Sequence, residues 1–431
     1  MAHPLLQFVS PQKIGILLLT VTGCFTTISL IAHSYVVSLE GGQQDVFDFV
    51  DRHNKQIEQR QRPHAASQEQ NARAGKIKKL YEQEFPPADT ERIRNYVQEL
   101  RRPYEYQTQA DLPYDIYNCP RDAPPPDYPY SWNVMNVIQN WNPATTTEPA
   151  RLHQSLCVFD YDTDFTVAQM YREAEVPFLM RNTPPLLEAA ERWNRSPDYL
   201  SQLFESHLEK AEHSHNNHFM YFKTPHNLRQ APEGWTPPME LTQMTFQEWY
   251  KKAQTVTTDE QQQERYYFRA KGVKEGLNDF LYQELPIFEP IHNNFFMVSP
   301  EEQRGINCRF GMKGVIAETH YDQSRNFIVL LGGQRRYILA HPRECQNLQL
   351  YPQGHPSGRH SAVDWTNPDL HKFPEFSNAQ VHEVVLQAGD ALYLPTFWFH
   401  FIVSLNVNYQ CNARSGMTNK HMEHIHECGF G

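Results

Sequence analysis

The sequence has no long block of lysine and arginine residues, and its 50 acidic side chains outnumber its 39 basic ones, giving a formal net charge of −11. Because binding to a phosphate backbone depends on concentrated positive charge, this composition predicts that the protein does not bind nucleic acid. The sequence also has no internal repeat, and its aromatic content of 13% is high for a disordered chain. Fibrous and fully disordered classes are therefore excluded, and 431 residues leave room for one large globular domain or two small ones.

One stretch, residues 14–37, has no Asp, Glu, Lys or Arg. A helix of this length can cross about 30 Å of hydrocarbon. Lys13 precedes the stretch and Glu40 follows it, which is a weak positive-inside bias. We therefore expect a single-pass type II membrane protein of the ER or Golgi, with a short cytosolic N-terminus at residues 1–13, a signal anchor at 14–37 and the rest of the chain in the lumen. A cleaved signal peptide is the alternative.

Six of the seven cysteines follow the predicted anchor. An even number permits disulfides without determining their pairing. The sequon Asn194-Arg195-Ser196 would be a glycan acceptor in a secretory lumen. The six cysteines are Cys119, Cys157, Cys308, Cys345, Cys411 and Cys428.

Four segments follow the anchor. Residues 38–102 are polar and charged with interrupted helical periodicity, which predicts a partly helical stem. Residues 103–151 contain three consecutive prolines and many tyrosines, which predicts an irregular linker. From residue 152 helical patterns precede short strand patterns, so we expect an α+β domain at 152–416 in which a jelly-roll barrel follows N-terminal helices. A His-rich tail occupies residues 417–431.

The elements of this domain are predicted from hydrophobic periodicity. Helical spacing covers residues 185–208 and 245–253. Short apolar runs bounded by Gly, Pro or Asp predict strands. These runs are residues 315–316, 327–331, 337–339, 381–386, 391–394 and 401–405.

The segment His320-Tyr321-Asp322 is the candidate for chemistry. Residues two apart on an extended strand face the same side, so His320 and Asp322 converge on one point. His400, on a late apolar strand, offers a third ligand. Two imidazoles and one carboxylate form the kind of site that holds non-haem Fe(II). With 21 histidines in the chain, a surface His near an Asp is the plainer interpretation of His-x-Asp alone, so the surrounding residues decide.

These surroundings resemble the JmjC-domain Fe(II)/2-oxoglutarate-dependent dioxygenases, most closely the cupin-like subgroup of the asparaginyl hydroxylase that inhibits hypoxia-inducible factor. The resemblance covers roughly residues 157–416. It implies a double-stranded β-helix, catalytic and metal-binding roles for His320, Asp322 and His400, the cofactor Fe(II), the cosubstrate 2-oxoglutarate, and O2. It also implies hydroxylation of a protein or peptide substrate. The matching stretches are Gly311-Met312-Lys313-Gly314, Thr319-His320-Tyr321-Asp322, Asn326-Phe327, Asn367-Pro368-Asp369, Phe373-Pro374, Ala388-Gly389-Asp390-Ala391-Leu392-Tyr393-Leu394-Pro395 and Trp398-Phe399-His400.

The resemblance also implies a cosubstrate pocket. Tyr267 resembles a family tyrosine that hydrogen-bonds 2-oxoglutarate, and Asn326 and Asn412 resemble polar positions of the same pocket. The family lysine that pairs with the distal carboxylate falls at Arg335, and Ala317 stands in place of a threonine. Arginine can hold a carboxylate through its planar fork, although it is longer than lysine. We therefore expect an active pocket rebuilt around Arg335.

Two other classes stay open. An anchor, a stem and a luminal domain are also the layout of Golgi glycosyltransferases, and the run Asp160-Tyr161-Asp162-Thr163-Asp164 contains two Asp-x-Asp matches that could bind a metal and a nucleotide sugar. An acidic run that begins a helix is the plainer interpretation. The second class is a non-catalytic, cupin-like binding protein. The intact set of three metal ligands favours an oxygenase acting on a protein in the secretory lumen.

Two further groups of histidines are weaker candidates for metal binding. The first contains His213, His215 and His218, where a solvated loop is the plainer interpretation. The second, in the tail, contains His421, His424 and His426, with a single cysteine nearby and close to a chain terminus. We include neither group in the predicted site.

Overall fold

The computed structural model describes residues 89–104, 112, 114–121, 128, 130–139, 151–223, 231–256, 264–291 and 293–430. These residues belong to one compact unit. The predicted anchor at 14–37, most of the predicted stem and parts of the predicted linker lie outside them.

Short runs of apolar residues, broken by turn residues, form the strands of the barrel. Along the chain these are β1 (Trp132–Asn133), β2 (Val158–Asp160), β3 (Phe178–Arg181), β4 (Glu209–Ser214), β5 (His218–Phe219), β6 (Glu240–Met244), β7 (Arg265–Gly272), β8 (Ile306–Gly311), β9 (Ile316–Tyr321), β10 (Asn326–Gly332), β11 (Gln334–Ala340), β12 (Gln380–Gln387), β13 (Ala391–Leu394), β14 (Phe399–Ser404) and β15 (Asn408–Arg414).

The strands form two sheets. One has the order β1-β12-β11-β14-β9-β5, and the other the order β2-β3-β13-β10-β15-β8-β7-β4-β6. Neighbouring strands are antiparallel except for β2–β3 and β5–β9. The two sheets face each other, since a Cβ added at Gly311 of β8 would lie 2.2 Å from the hydroxyl oxygen of Ser404 in β14. This β-rich architecture agrees with the predicted jelly-roll.

The helices begin at residues suited to helix starts. Ser196 caps one helix by accepting the N–H of Asp198, and a reciprocal pair of bonds between Thr245 and Glu248 caps another. The Ser196 cap divides residues 185–208, predicted as one helical stretch, into two helices. The helices are α1 (Thr90–Glu99), α2 (Val134–Gln139), α3 (Phe165–Glu173), α4 (Pro184–Arg195), α5 (Pro197–Phe204), α6 (Phe246–Gln254), α7 (Phe280–Glu284) and α8 (Met422–Glu427).

Helices α4 to α6 cover the outer face of the nine-stranded sheet. Phe310 of β8 lies against Trp193 of α4 and against Phe246 and Trp249 of α6, with ring centroids 5.8, 5.9 and 5.8 Å away. Each fully buried side chain of this kind contributes roughly 1.5–3 kcal/mol of transfer free energy. This packing assigns one face of β8 to the helices and leaves the other face for the barrel interior.

A second core covers the outer face of the six-stranded sheet, and the C-terminal tail contributes to it. Ile425 of α8 and Phe430 are buried in this core, and the ring of Phe430 lies 6.0 Å from that of Tyr321. The tail is tied down by one of three disulfides within the described residues. These disulfides are Cys119–Cys157, Cys308–Cys411 and Cys345–Cys428.

The predicted location requires a correction. Over the described part of the chain, no helix is both long and apolar enough to cross a membrane. On this finding we withdraw the prediction of a type II membrane protein of the ER or Golgi with a luminal domain. The side chain of Asn194, in the sequon, is engaged within the fold. Its amide nitrogen, the atom that would carry a glycan, donates to the carbonyl oxygens of Ala190 and Leu331, both at 2.6 Å.

Candidate metal centre and cosubstrate pocket

The three predicted metal ligands converge at one end of the barrel. His320 in β9 lies opposite His400 in β14, and Asp322 follows directly after β9. The ring centroids of the two histidines are 4.2 Å apart, and one donor atom from each of the three residues lies within 4.8 Å of the others. The carbonyl of Asp322 accepts the N–H of Phe397 at 2.9 Å, which anchors the end of β9. The structure thus brings together the residues that sequence alone selected.

Hydrogen bonds to the main chain fix the proton on each imidazole. Nδ1 of His320 lies 2.7 Å from the carbonyl oxygen of Glu318, and Nδ1 of His400 lies 3.1 Å from that of Trp398. Because a carbonyl oxygen can only accept, each Nδ1 carries the hydrogen and each Nε2 keeps its lone pair. This is the arrangement that metal-ligating histidines use.

The charges of the three residues also suit a metal. Burial, reinforced by neighbouring imidazoles, lowers the pKa of His320, and burial lowers the pKa of His400, so both rings are neutral at pH 7. Burial raises the pKa of the Asp322 carboxyl, but nearby positive charge, first of all the Arg414 guanidinium, outweighs burial and holds that pKa well below its usual range. Two neutral imidazoles and one carboxylate are a donor set that fits Fe(II).

Arg414, at the end of β15, was not selected from the sequence. Its Nη2 donates to Oδ2 of Asp322 at 2.6 Å, and in the sheet it lies opposite Asn326. The ion pair engages Oδ2 of the carboxylate. Groups that hold a metal ligand in this way commonly matter for metal affinity.

The four residues predicted to bind the cosubstrate form two hydrogen-bonded pairs. Nη1 of Arg335 donates to the hydroxyl of Tyr267 at 3.0 Å. The amide nitrogen of Asn412 donates to the amide oxygen of Asn326 at 2.8 Å. The first pair joins β11 to β7 across the two sheets, and the second pair joins β15 to β10. These roles in cosubstrate binding remain predictions.

The barrel interior holds more polar residues than the sequence analysis named. In β15, polar side chains occupy every second position from Asn408 to Arg414, and Cys411, between Gln410 and Asn412, forms the disulfide to Cys308. The alternation places the polar set on the face opposite that disulfide. Period-two alternation in residues 408–414 was therefore the signal that could have revealed this strand.

The acidic run at residues 160–164 is engaged by the protein itself. A carboxylate oxygen of Asp160 accepts the N–H of Asp162 at 2.9 Å. Asp162 pairs with Arg94 at 2.6 Å, and Asp164 pairs with Arg121 at 2.9 Å. These contacts stabilise the turn before α3, as the plainer interpretation of the run predicted, and they favour no nucleotide-sugar site.

The tail histidines lie beside His341. Donor atoms of His341, His421 and His424 fall within 4.8 Å of one another. However, Nδ1 of His341 accepts the N–H of Arg343 at 3.1 Å, which places the proton of the neutral ring on Nε2. In this arrangement His341 offers no ring lone pair to a metal ion.

His213 occupies a different setting from the predicted solvated loop, whereas His215 is exposed and follows the end of β4, as predicted. His213 lies in β4 and is buried. Its Nδ1 is 2.9 Å from a carboxylate oxygen of Glu240, and its Nε2 is 2.8 Å from one of Glu264. The ring of His213 is therefore held between two carboxylates at the edge of the nine-stranded sheet, and the loop prediction was wrong for this residue.

Comparison with known proteins identifies the family. Residues 164–417 match the family described as a cupin-like domain, and the chain belongs to that family. It is 36% identical over 109 residues to JmjC domain-containing protein D of Dictyostelium discoideum, covering 25% of this chain and 24% of the relative. It is 36% identical over 145 residues to tRNA wybutosine-synthesizing protein 5 of Mus musculus, covering 33% of this chain and 44% of the relative. It is 34% identical over 110 residues to lysine-specific demethylase 8 of Xenopus tropicalis, covering 25% of this chain and 24% of the relative.

These comparisons confirm the predicted JmjC-type, cupin-like family. Each match spans less than half of the relative's length. The asparaginyl hydroxylase subgroup is not singled out. The predicted absence of nucleic-acid binding gains no support, because one relative is named for a function on tRNA.

Proposed function

We propose that this chain is an Fe(II)- and 2-oxoglutarate-dependent hydroxylase. The observation that carries the proposal is the convergence of two neutral imidazoles, with Nε2 available, and one ionised carboxylate at His320, His400 and Asp322. When bound, Fe(II) and 2-oxoglutarate supply with O2 an oxidative decarboxylation that yields succinate and CO2 and places one oxygen atom in a substrate C–H bond.

The chain's own residues bind and orient the reactants in this proposal. His320, Asp322 and His400 hold the metal on one face and leave the opposite face for ligands. Arg414 keeps the Asp322 carboxylate ionised and restrains its orientation through the bond to Oδ2. Buried apolar residues on the outer faces of both sheets shield the barrel interior from water, which strengthens each polar contact made there.

The cosubstrate would occupy the interior between the two sheets. We propose that the pair Tyr267 and Arg335 marks the end of the pocket that receives the distal carboxylate. The amides of Asn326 and Asn412 would line the pocket between that end and the metal, since both lie on strands next to Arg414. The oxygenase domain that we propose comprises residues 152–416.

For the substrate we propose a protein or peptide. The net charge of −11, without a Lys/Arg block, gives a nucleic-acid backbone little electrostatic attraction. The relative named for tRNA makes tRNA the alternative that an assay must include.

Succinate formation by the purified protein tests the proposal. The protein would be incubated with Fe(II), 2-oxoglutarate and O2, first alone and then with a peptide library or with bulk tRNA. We expect iron-dependent succinate in each case, stimulated by peptide and accompanied by peptides heavier by one oxygen atom. Stimulation by tRNA alone would reject the protein substrate, and no succinate above a metal-free control would reject the oxygenase.

A further inference from the structure

Arg309 lies in the barrel interior, at a position that the sequence analysis did not select. Its neighbour Phe310 packs outward against the helices, so Arg309 and Gly311 belong to the opposite face of β8. A Cβ added at Gly311 would lie 3.1 Å from Nη2 of Arg335, which identifies that face as the interior one. The main-chain carbonyl of Arg309 accepts from the same Nη2 at 2.9 Å.

The guanidinium of Arg335 is already committed to the protein. It is fully buried, and its Nη1 donates to the Gln410 side-chain oxygen at 2.8 Å and to the Tyr267 hydroxyl at 3.0 Å. Its Nε donates to the side-chain oxygen of Asn408, and its Nη2 to the carbonyl of Arg309. Four of its five N–H groups therefore have protein acceptors, which leaves little capacity for a bidentate grip on a ligand.

Among the described residues, only the main-chain oxygen of Arg309 takes part in a side-chain hydrogen bond, and its guanidinium has no hydrogen-bond or ion-pair partner. The carboxylate of Glu212 acts on its charge but is paired with Arg269, and Arg269 and Arg414 are both positive. Burial, followed by the charge of Arg269, lowers the pKa of Arg309 to about 10. A partly buried cation without a counter-charge is destabilising, so an anion that enters this space would be bound favourably.

The neighbours of Arg309 indicate what kind of anion fits. The charges of Arg309 and Arg414 act on each other, and Arg414 pairs with the carboxylate of the metal ligand Asp322. In the sheet, Arg309 lies opposite Gln410 of β15 and Arg269 of β7. The next residues on the same face of β8 are Gly311, which lies opposite Tyr267, and Asn307, which lies opposite Asn412, two residues from Arg414. Arg309 thus lies between the Tyr267 end and the Arg414 end of the interior. A short, extended dicarboxylate with one carboxylate at the metal would present its second carboxylate to this arginine.

We propose that Arg309 pairs with the distal carboxylate of 2-oxoglutarate, while Arg335 is a positioning residue that holds Tyr267, Gln410 and Asn408 around the pocket. This inference rests on the proposed function and revises which arginine takes the distal carboxylate. The Tyr267 hydroxyl, which accepts from Arg335, keeps its own hydrogen to donate to the same carboxylate.

Two ligands that differ only at the distal group test the assignment. Binding of 2-oxoglutarate and of 2-oxopentanoate, which has a methyl group in place of the distal carboxylate, would be measured by calorimetry on Mn(II)-loaded full-length protein. We expect Arg309→Met to weaken 2-oxoglutarate binding by about ten- to hundredfold and to leave 2-oxopentanoate binding unchanged. Arg309→Lys should recover part of the loss because it restores the charge.

The same variants separate binding from folding without any turnover. In the metal-free protein, Arg309→Met should leave the thermal unfolding midpoint unchanged or raise it, because a charge without a partner is removed. Arg335→Met should lower that midpoint, because it leaves buried acceptors unpaired. Equal effects of Arg309→Met on both ligands, or no effect on either, would overturn the inference. Failure of the wild-type protein to bind 2-oxoglutarate would instead reject the proposed function.

Discussion

At the scale of single residues, the Asp322 carboxylate gives the sharpest test of the metal centre. Asp322→Ala removes the only negative charge of the three ligands, so we expect iron-dependent succinate formation to disappear. Far-ultraviolet circular dichroism should stay close to that of the wild type, because the barrel places this ligand and does not depend on it. His424→Ala, in the tail, should leave succinate formation unchanged. Full turnover in Asp322→Ala would show that the metal centre does not need this carboxylate as a ligand.

Arg414 offers a second test beside the same carboxylate. Without its guanidinium, Asp322 loses a charged hydrogen bond and is free to rotate, so Arg414→Met should weaken Fe(II) binding by about ten- to hundredfold. Arg414→Lys keeps the charge and is the matched control, for which we expect a smaller loss. Anaerobic titration with Fe(II) measures both values. Equal affinity in the wild type and in Arg414→Met would show that the ion pair does not position the ligand.

Arg335 remains the point at which this chain departs from the family pattern. Arg335→Ala should raise the apparent KM for 2-oxoglutarate because Tyr267 loses its hydrogen-bond donor, and Arg335→Lys should retain part of the affinity because lysine can replace some, but not all, of the hydrogen bonds of the arginine fork. If Arg335 acts by positioning Tyr267, the rise in KM should accompany a loss of stability. Steady-state kinetics and thermal unfolding on the same preparations measure the two effects.

The neighbouring arginine cannot serve as a neutral control for that experiment. Strand alternation predicts that Arg336 faces away from Arg335, and Arg336 does bond Glu383 and the carbonyl of Val137 on the opposite face. That ion pair is buried, so Arg336→Ala is expected to cost about 3–5 kcal/mol of stability. Lys372→Ala, at an exposed position, is the better control.

At the scale of elements, apolar runs were predictable and polar interior strands were not. The six runs chosen from the sequence correspond to β9 through β14, because these strands are buried on both faces and read as continuous apolar stretches. Strands β7, β8 and β15 alternate polar and apolar residues, and their polar residues face the barrel interior. Their polar positions, including Arg309 and Arg414, therefore looked like surface positions.

The sequence predicted a C-terminal tail that is separate from the domain, whereas in the structure the tail is part of the core. Ile425 of α8 is buried, and the disulfide Cys345–Cys428 ties the helix to the barrel. Ile425→Ala should therefore destabilise the protein by about 2–5 kcal/mol. Phe430 packs on Tyr321, which stands in sequence between the predicted metal ligands His320 and Asp322. We therefore also expect Ile425→Ala, which loosens the tail, to weaken Fe(II) binding. Urea unfolding and Fe(II) titration measure these effects, and an unchanged midpoint of unfolding would contradict the role of the tail.

At the scale of the whole molecule, the family could be predicted from the sequence because it depends on short motifs in a fixed order, and the same motifs contain the three predicted metal ligands. The disulfide pairing and the charge balance of the interior could not be predicted from the sequence, because they depend on distant segments that only the fold brings together. Arg309 and Arg269 are adjacent across two strands, yet they are 40 residues apart in sequence and carry no shared motif. Which of the histidines are buried could likewise not be predicted from the sequence.

Several histidines are enclosed as neutral rings, and this predicts how stability depends on pH. Burial lowers the pKa of His360 and of His382, each to about 3. Between pH 6.5 and 5 the unfolded chain binds protons at these rings and the folded chain does not, so stability must fall as the pH falls. Each such ring contributes about 1.4 kcal/mol per pH unit over this range. His218, whose pKa its ion pair with Glu318 raises against the effect of burial, contributes with the opposite sign.

The variant His382→Gln isolates one of these contributions, away from the metal ligands. Its side chain can still bond the hydroxyl of Ser155, which lies 2.6 Å from Nδ1 of His382, but it has no proton to gain. Urea unfolding of the metal-free protein at pH 7, 6 and 5 should show the wild type losing stability on acidification, and His382→Gln losing about 1.4 kcal/mol less per pH unit below pH 6.5. Equal slopes in the two proteins would show that His382 is already protonated in the fold. In that case the Ser155 contact would have to be an ionic hydrogen bond, with the imidazolium as donor.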